Sequence, residues 1–184
     1  MVQVRKGVFE TNSSSTHSIA IPRDCGATNY VSFCDGEFGW GFNQVDPADY
    51  FYTAIHETSE TMAELEEKLD RLKDILRDYD IEYHFGDTKC EERDGWLDHD
   101  GYIDHGYELK DFVDELLNNS GKLARFLSGG LVFTGNDNSE SNGFISRNEE
   151  FIEDYDWKSK TWFKCKNEYY MENCDEYEWY YKGN

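Results

Sequence analysis

The sequence has no apolar run approaching the roughly 18 residues of a membrane-spanning helix, and no apolar stretch follows a basic start at its N-terminus. A cytoplasmic protein with no membrane partner is the expectation. The five cysteines, Cys25, Cys34, Cys90, Cys165 and Cys174, are odd in number and form no CxxC pair. Cys25/Cys34 and Cys165/Cys174 share a spacing of eight intervening residues, which is not a usual zinc spacing. Reduced structural thiols are therefore expected. No HExxH is present, and no GK[ST] follows "LSGGLVFTG", which excludes a phosphate loop there. Aliphatic residues are few and no repeat of solenoid length occurs. Positive charge is scarce as well, with 18 Lys and Arg against 39 Asp and Glu, a formal charge of −21.

Few aliphatics and high net charge lean toward disorder, but 13 Tyr, 12 Phe and 5 Trp argue for a folded core filled by large rings. At 184 residues the chain reads as a single domain, 1–184. The charge is unevenly placed. Residues 1–23 carry Arg5, Lys6 and Arg23 against Glu10 alone, a net of +2, so the other 161 residues carry −23. Such a body repels free nucleic acid and anionic membrane and steers the protein toward cationic partners. Stable binding to free nucleic acid is not expected.

The fold class expected is α+β: an N-terminal β-hairpin, central helices packed on a small antiparallel sheet, and a C-terminal β element. Val2, Val4 and Val8 alternate with polar residues, and Ile19 and Ile21 alternate on the return. A hairpin over 1–23 with Val8 facing Ile19 sets Lys6 against Ile21 and Glu10 against His17, with Thr11 to Thr16 as its loop. Asp46 and Pro47 read as a helix start, and Thr61 caps a longer helix with Met62, Leu65, Leu69, Leu72, Ile75 and Leu76 on one stripe. Strands are expected at "TNYVSFCDG", "IEYHFG" and "GGLVFTG". Helices are expected near Glu108 to Asn118 and from Ser120. "DGWLDHDGYIDHGY" and "NDNSESNG" read as loops, and the segments from "WKSKTWFKC" onward as the terminal β element.

Two constellations carry chemistry. In the hairpin register Glu10 and His17 have Cβ atoms roughly 4.5–5.5 Å apart, a spacing at which the carboxylate favours the imidazolium and poises it as acid or base. Arg5 and Lys6 on the same strand can neutralise a phosphate, and Asn12, Ser13, Ser14 and Ser15 can hold one through hydroxyls and backbone N–H groups. Those parts suffice for metal-free RNA cleavage without a cofactor. The plain alternative is a structural hairpin with a surface Glu–His pair. The second constellation, "LDHDGYIDHGY", places Asp98, His99, Asp100, Asp104 and His105 within eight residues. His99, His105 and Asp100 are weak candidates for a divalent metal; the alternative is a solvated loop with capping aspartates. The segment after Asn148 interleaves ten Asp and Glu with five Lys, either a charge-protected β edge or a phosphate-mimicking face.

The run "RKGVFETNSSSTHSI", through Arg5, Phe9, Glu10, Thr11, Asn12, Ser13, Ser14, Ser15 and His17, resembles the opening of a group of small phage and mobile-element proteins. With the size and acidity, it is similar to the type II-A anti-CRISPR proteins that disable Cas9 through its guide RNA. That resemblance implies a bacterial host cell, Cas9 and its guide RNA as partners, and truncation of the guide by the N-terminal element, with His17 and Glu10 catalytic. The competing expectation is a non-catalytic acidic mimic of nucleic acid that blocks guide or DNA loading.

Overall fold

The computed structural model describes residues 15–24, 26, 28–39, 43–94, 96–104, 109–136, 151–156, 161–166 and 177–183. Its elements alternate as α+β, as the sequence leads one to expect. The central sheet has the order β12-β1-β9-β4, built from β1 (Ser15–Pro22), β4 (Asn43–Val45), β9 (Leu131–Asn136) and β12 (Tyr177–Gly183), all antiparallel. Four further units are two-stranded. β2 (Tyr30–Phe33) runs parallel to β5 (Glu82–Phe85), and β3 (Glu37–Phe38) parallel to β8 (Tyr102–Ile103). β6 (Cys90–Arg93) with β7 (Trp96–His99), and β10 (Phe151–Asp156) with β11 (Thr161–Lys166), are antiparallel. The helices are α1 (Pro47–Glu57), α2 (Met62–Asp78), α3 (Leu109–Asn118) and α4 (Ser120–Gly129).

α1 is the hub. Ala48, Tyr50, Phe51, Tyr52, Thr53, Ala54, Ile55 and His56 are all buried, so the helix is enclosed rather than half-wetted. Aromatic rings do much of the enclosing. Phe51 meets Phe112 edge-on at 5.7 Å, Phe112 meets Phe126 at 5.7 Å, and Phe33 stacks on Phe85 at 5.0 Å. The α2 stripe lands as its spacing dictates, with Leu65, Leu72, Ile75 and Leu76 buried and Met62 and Leu69 partly buried. Asp46 caps α1, its Oδ1 accepting from the Ala48 and Asp49 amides at 2.8 and 3.4 Å, and Thr61 caps α2 through the Glu64 amide at 3.2 Å. Asp46→Ala is expected to lower stability by about 1 kcal/mol in urea unfolding, the usual worth of such a cap.

Two expectations change. The segment read as the loop "DGWLDHDGYIDHGY" contains β7 and β8, in which Leu97 and Ile103 are the buried apolar anchors while the Trp96 and Tyr102 rings stay exposed. The return arm of the hairpin does exist as β1, but its partners differ from the expected ones. Ile19 lies opposite Val132 of β9 on one edge and Tyr181 of β12 on the other. A strand has two hydrogen-bonding edges, and at His17 and Ile19 both are taken, so the Val8–Ile19 register, and with it the Glu10–His17 opposition, is replaced by pairing with the C-terminal strands. Residues 1–14, which carry the rest of the hairpin expectation, lie outside the described residues.

Candidate functional site

Of the residues assigned to the N-terminal site, Arg5, Lys6, Glu10, Asn12, Ser13 and Ser14 lie outside the described residues. Ser15 opens β1 opposite Asn136. His17 follows two residues later, 1 % exposed, on the same alternation that buries Ile19 and Ile21. Its Nε2 sits 2.8 Å from the Asp104 carbonyl, which can only accept, so Nε2 carries the proton and donates. Nδ1 is then placed to accept from the Tyr50 hydroxyl at 3.1 Å. His17 therefore ties β1 to the first turn of α1 and to the chain just after β8. In this arrangement both ring nitrogens are engaged inside the protein.

Of the Asp98–His105 constellation, the described residues Asp98, His99, Asp100 and Asp104 form no common metal site. His105 lies outside the described residues. Asp98 pairs with Arg93 at 3.1 Å, Asp100 accepts from the Lys89 amide at 3.2 Å, and Asp104 offers its backbone carbonyl to His17. Among the described residues no group of three or more His, Cys, Asp and Glu is placed to hold a metal ion. Cys34 and Cys90 are free thiols. No helix among the described residues is long and apolar enough to cross a membrane.

His99 belongs instead to a buried charge cluster that no local pattern announces. Its Nδ1 donates to Asp35 Oδ2 at 2.9 Å and its Nε2 faces Glu57 Oε2 at 3.4 Å, with the His99 and Asp35 side chains 5 % and 4 % exposed. Asp35 Oδ2 also accepts from the Gly101 amide at 2.8 Å. Burial alone would lower the His99 pKa, but the bonds and charges of Asp35 and Glu57 outweigh it and push the imidazole up to about 9. Burial would likewise raise Asp35, yet the hydrogen bond and charge of His99 hold its carboxyl below the ordinary value. His99 is thus an imidazolium at neutral pH, with its two N–H groups directed at Asp35 and Glu57.

The remaining cluster members are set apart from this pair. Asp35 Oδ1 is buried without a partner. The adjacent Thr53 hydroxyl donates to the Asp49 carbonyl at 3.0 Å and accepts from the Gly36 amide at 3.0 Å, and its proximity also helps hold the Asp35 carboxyl low. His56, whose ring centroid is 5.4 Å from that of His99, donates Nδ1–H to the Tyr52 carbonyl at 2.9 Å. Burial pushes the His56 pKa below its ordinary value. The cluster joins the β2–β3 turn, the C-terminal end of α1 and β7, and its geometry is that of a structural staple.

No family model matches the chain, and neither a curated protein nor a solved structure matches it.

Proposed function

We propose that this protein is an inhibitor of Cas9 that acts through the guide RNA, promoting its truncation while Cas9 holds it. The observation that carries the reading is charge segregation: a cationic segment bearing "RKGVFETNSSSTHSI" precedes 161 residues that carry −23. Cas9 offers a positively charged nucleic-acid channel, and an acidic body docks on such a surface at an electrostatically steered rate. Free RNA is repelled by the same body, so cleavage requires the partner to present the RNA. Arg5 and Lys6 then neutralise phosphate, Asn12 and Ser13 to Ser15 position it, and Glu10 and His17 supply the acid and base, meeting only once docking frees an edge of β1, since both edges at His17 are paired. Docking opens the Tyr50 and Asp104 contacts that bury His17. No metal or cofactor enters this scheme.

A second reading, a non-catalytic acidic mimic that blocks guide or DNA loading, is favoured by the burial of His17, which then serves only to anchor β1. A denaturing gel of guide RNA incubated with the protein, with and without Cas9, in EDTA separates the two. A guide shortened only in the Cas9 lane, and left whole by His17→Ala that still binds Cas9, supports cleavage by the N-terminal element. An intact guide in every lane with Cas9 still inhibited supports the mimic. An uninhibited Cas9 overturns both.

A further inference from the structure

Between β2 and the start of α1 lies a cavity of about 310 Å³, at the lower end of the range for small-ligand sites. Its lining is amphipathic. Val31, Ala48 and Leu127, each less than a tenth exposed, form a small apolar floor, Tyr30 contributes an aromatic ring, and Asp46 and Asp49 are the acidic residues of a lining that is more polar than apolar. Tyr30 is 52 % exposed, one of the few large side chains among the described residues left bare to solvent. Each carboxylate has one oxygen engaged by backbone amides. Asp46 Oδ1 caps α1, and Asp49 Oδ1 accepts from the Cys34 amide at 2.7 Å.

The charge in this cavity is uncompensated. Among the described residues neither aspartate stands in an ion pair. The start of α1 supplies roughly half a positive charge, which offsets only part of two negative ones. Burial, reinforced by the neighbouring Asp46 charge, raises the Asp49 pKa. An aromatic ring, an apolar wall and unneutralised carboxylates within one cavity match the three parts of an arginine side chain. The methylene stem packs on the apolar wall, the flat guanidinium stacks on the tyrosine, and its N–H fork meets carboxylate oxygens.

We propose that this cavity binds an arginine side chain presented by a basic partner protein. The proposal rests on the acidic body being a docking surface, and it names the contact chemistry at one point of that surface.

The probe is N-acetyl-arginine amide, titrated into the ¹⁵N-labelled full-length protein. Saturable shifts are expected at the Tyr30, Ser32 and Cys34 amides, with no response to the neutral citrulline analogue. Asp49→Asn keeps an oxygen for the Cys34 amide while removing the charge, and is expected to weaken binding about tenfold. Tyr30→Ala is expected to weaken it about threefold; its exposed position keeps the test decisive where the Asn variant perturbs the fold. Shifts scattered over the acidic surface without saturation, or an affinity that neither variant changes, overturn the proposal. Guide RNA processing is read separately on the gel, so an arginine site that binds normally while guide and Cas9 stay unaffected overturns the functional reading alone.

Discussion

Gly101→Ala is expected to destabilise the protein by about 3–5 kcal/mol, far more than a methyl group ordinarily costs in a strand-connecting segment. A Cβ at this position meets the Asp35 Cγ at 2.6 Å and the Gly36 carbonyl oxygen at 2.6 Å. The second of these is backbone and cannot rotate away. Relief therefore requires the Asp35–Gly36 segment to shift as a whole, which breaks the bond Asp35 accepts from the Gly101 amide and its pairing with His99. The cost then combines overpacking with a buried charge deprived of its partner. Gly121→Ala is the contrast. There the nearest atom is the Tyr79 hydroxyl at 3.4 Å, the residue sits in the first turn of α4, and alanine is expected to be neutral or stabilising by up to about 1 kcal/mol. Urea midpoints of the two variants test both statements. A Gly101→Ala midpoint close to wild type would mean that the β2–β3 turn yields without cost and that the cluster is not close-packed.

The parts of the fold legible in the sequence are those set by local rules. Asp46-Pro47 and Thr61 mark helix starts because a capping oxygen and a preset φ act within one turn, and the α2 stripe follows from the 3.6-residue period alone. β1 was legible as a strand, and its alternation carries one more signal: continued two residues back from Ile19, it places His17 on the buried face. What the period could not give was its partners. They come from residues 131–136 and 177–183, more than a hundred residues away, and no turn geometry links them to β1. β6 and β7 were hidden for a different reason. "CEER" and "WLDH" carry a single buried anchor, Leu97, too little for a hydrophobic period to register.

The Asp35–His99 pair was illegible in principle. Sixty-four residues separate its members, and neither stands in a local pattern that distinguishes a buried ion from a solvated one. "DHDG" looks like metal-ligand chemistry because its residue types are right. Side-chain direction decides otherwise. On β7 the alternation turns Leu97 and His99 toward the interior and leaves Trp96, 54 % exposed, on the other face. Neighbours in the sequence thereby become members of different interactions.

His99→Gln is expected to lower stability by on the order of 3 kcal/mol at pH 6.5 and to change how stability depends on pH. The imidazolium balances the buried Asp35 charge; glutamine can still donate a hydrogen bond but brings no charge, and breaking a buried pair of this kind costs about 3–5 kcal/mol. A folded pKa of about 9 against the ordinary value of 6.5 corresponds to a similar figure, roughly 3 kcal/mol. Because the folded pKa is raised, this stabilisation is fully present below pH 6.5 and is lost as pH climbs through about 9. His56 acts with the opposite sign. Its folded pKa is lowered, so the unfolded chain takes up a proton that the folded one refuses, and stability falls as pH drops below 6.5. Together the two histidines place a stability maximum near pH 6.5. Asp35, held below its ordinary value, contributes a further loss only once pH falls through its folded pKa, beneath about 3.8. For a chain of this length 1 kcal/mol is worth about 2–4 °C. Wild type is therefore expected to lose roughly 6–12 °C of Tm between pH 6.5 and 9.5 from this group, and His99→Gln to lack that fall. Parallel Tm profiles for the two proteins across this window would show that His99 is not charged in the folded state, and the staple between β7, α1 and the β2–β3 turn would reduce to neutral hydrogen bonds.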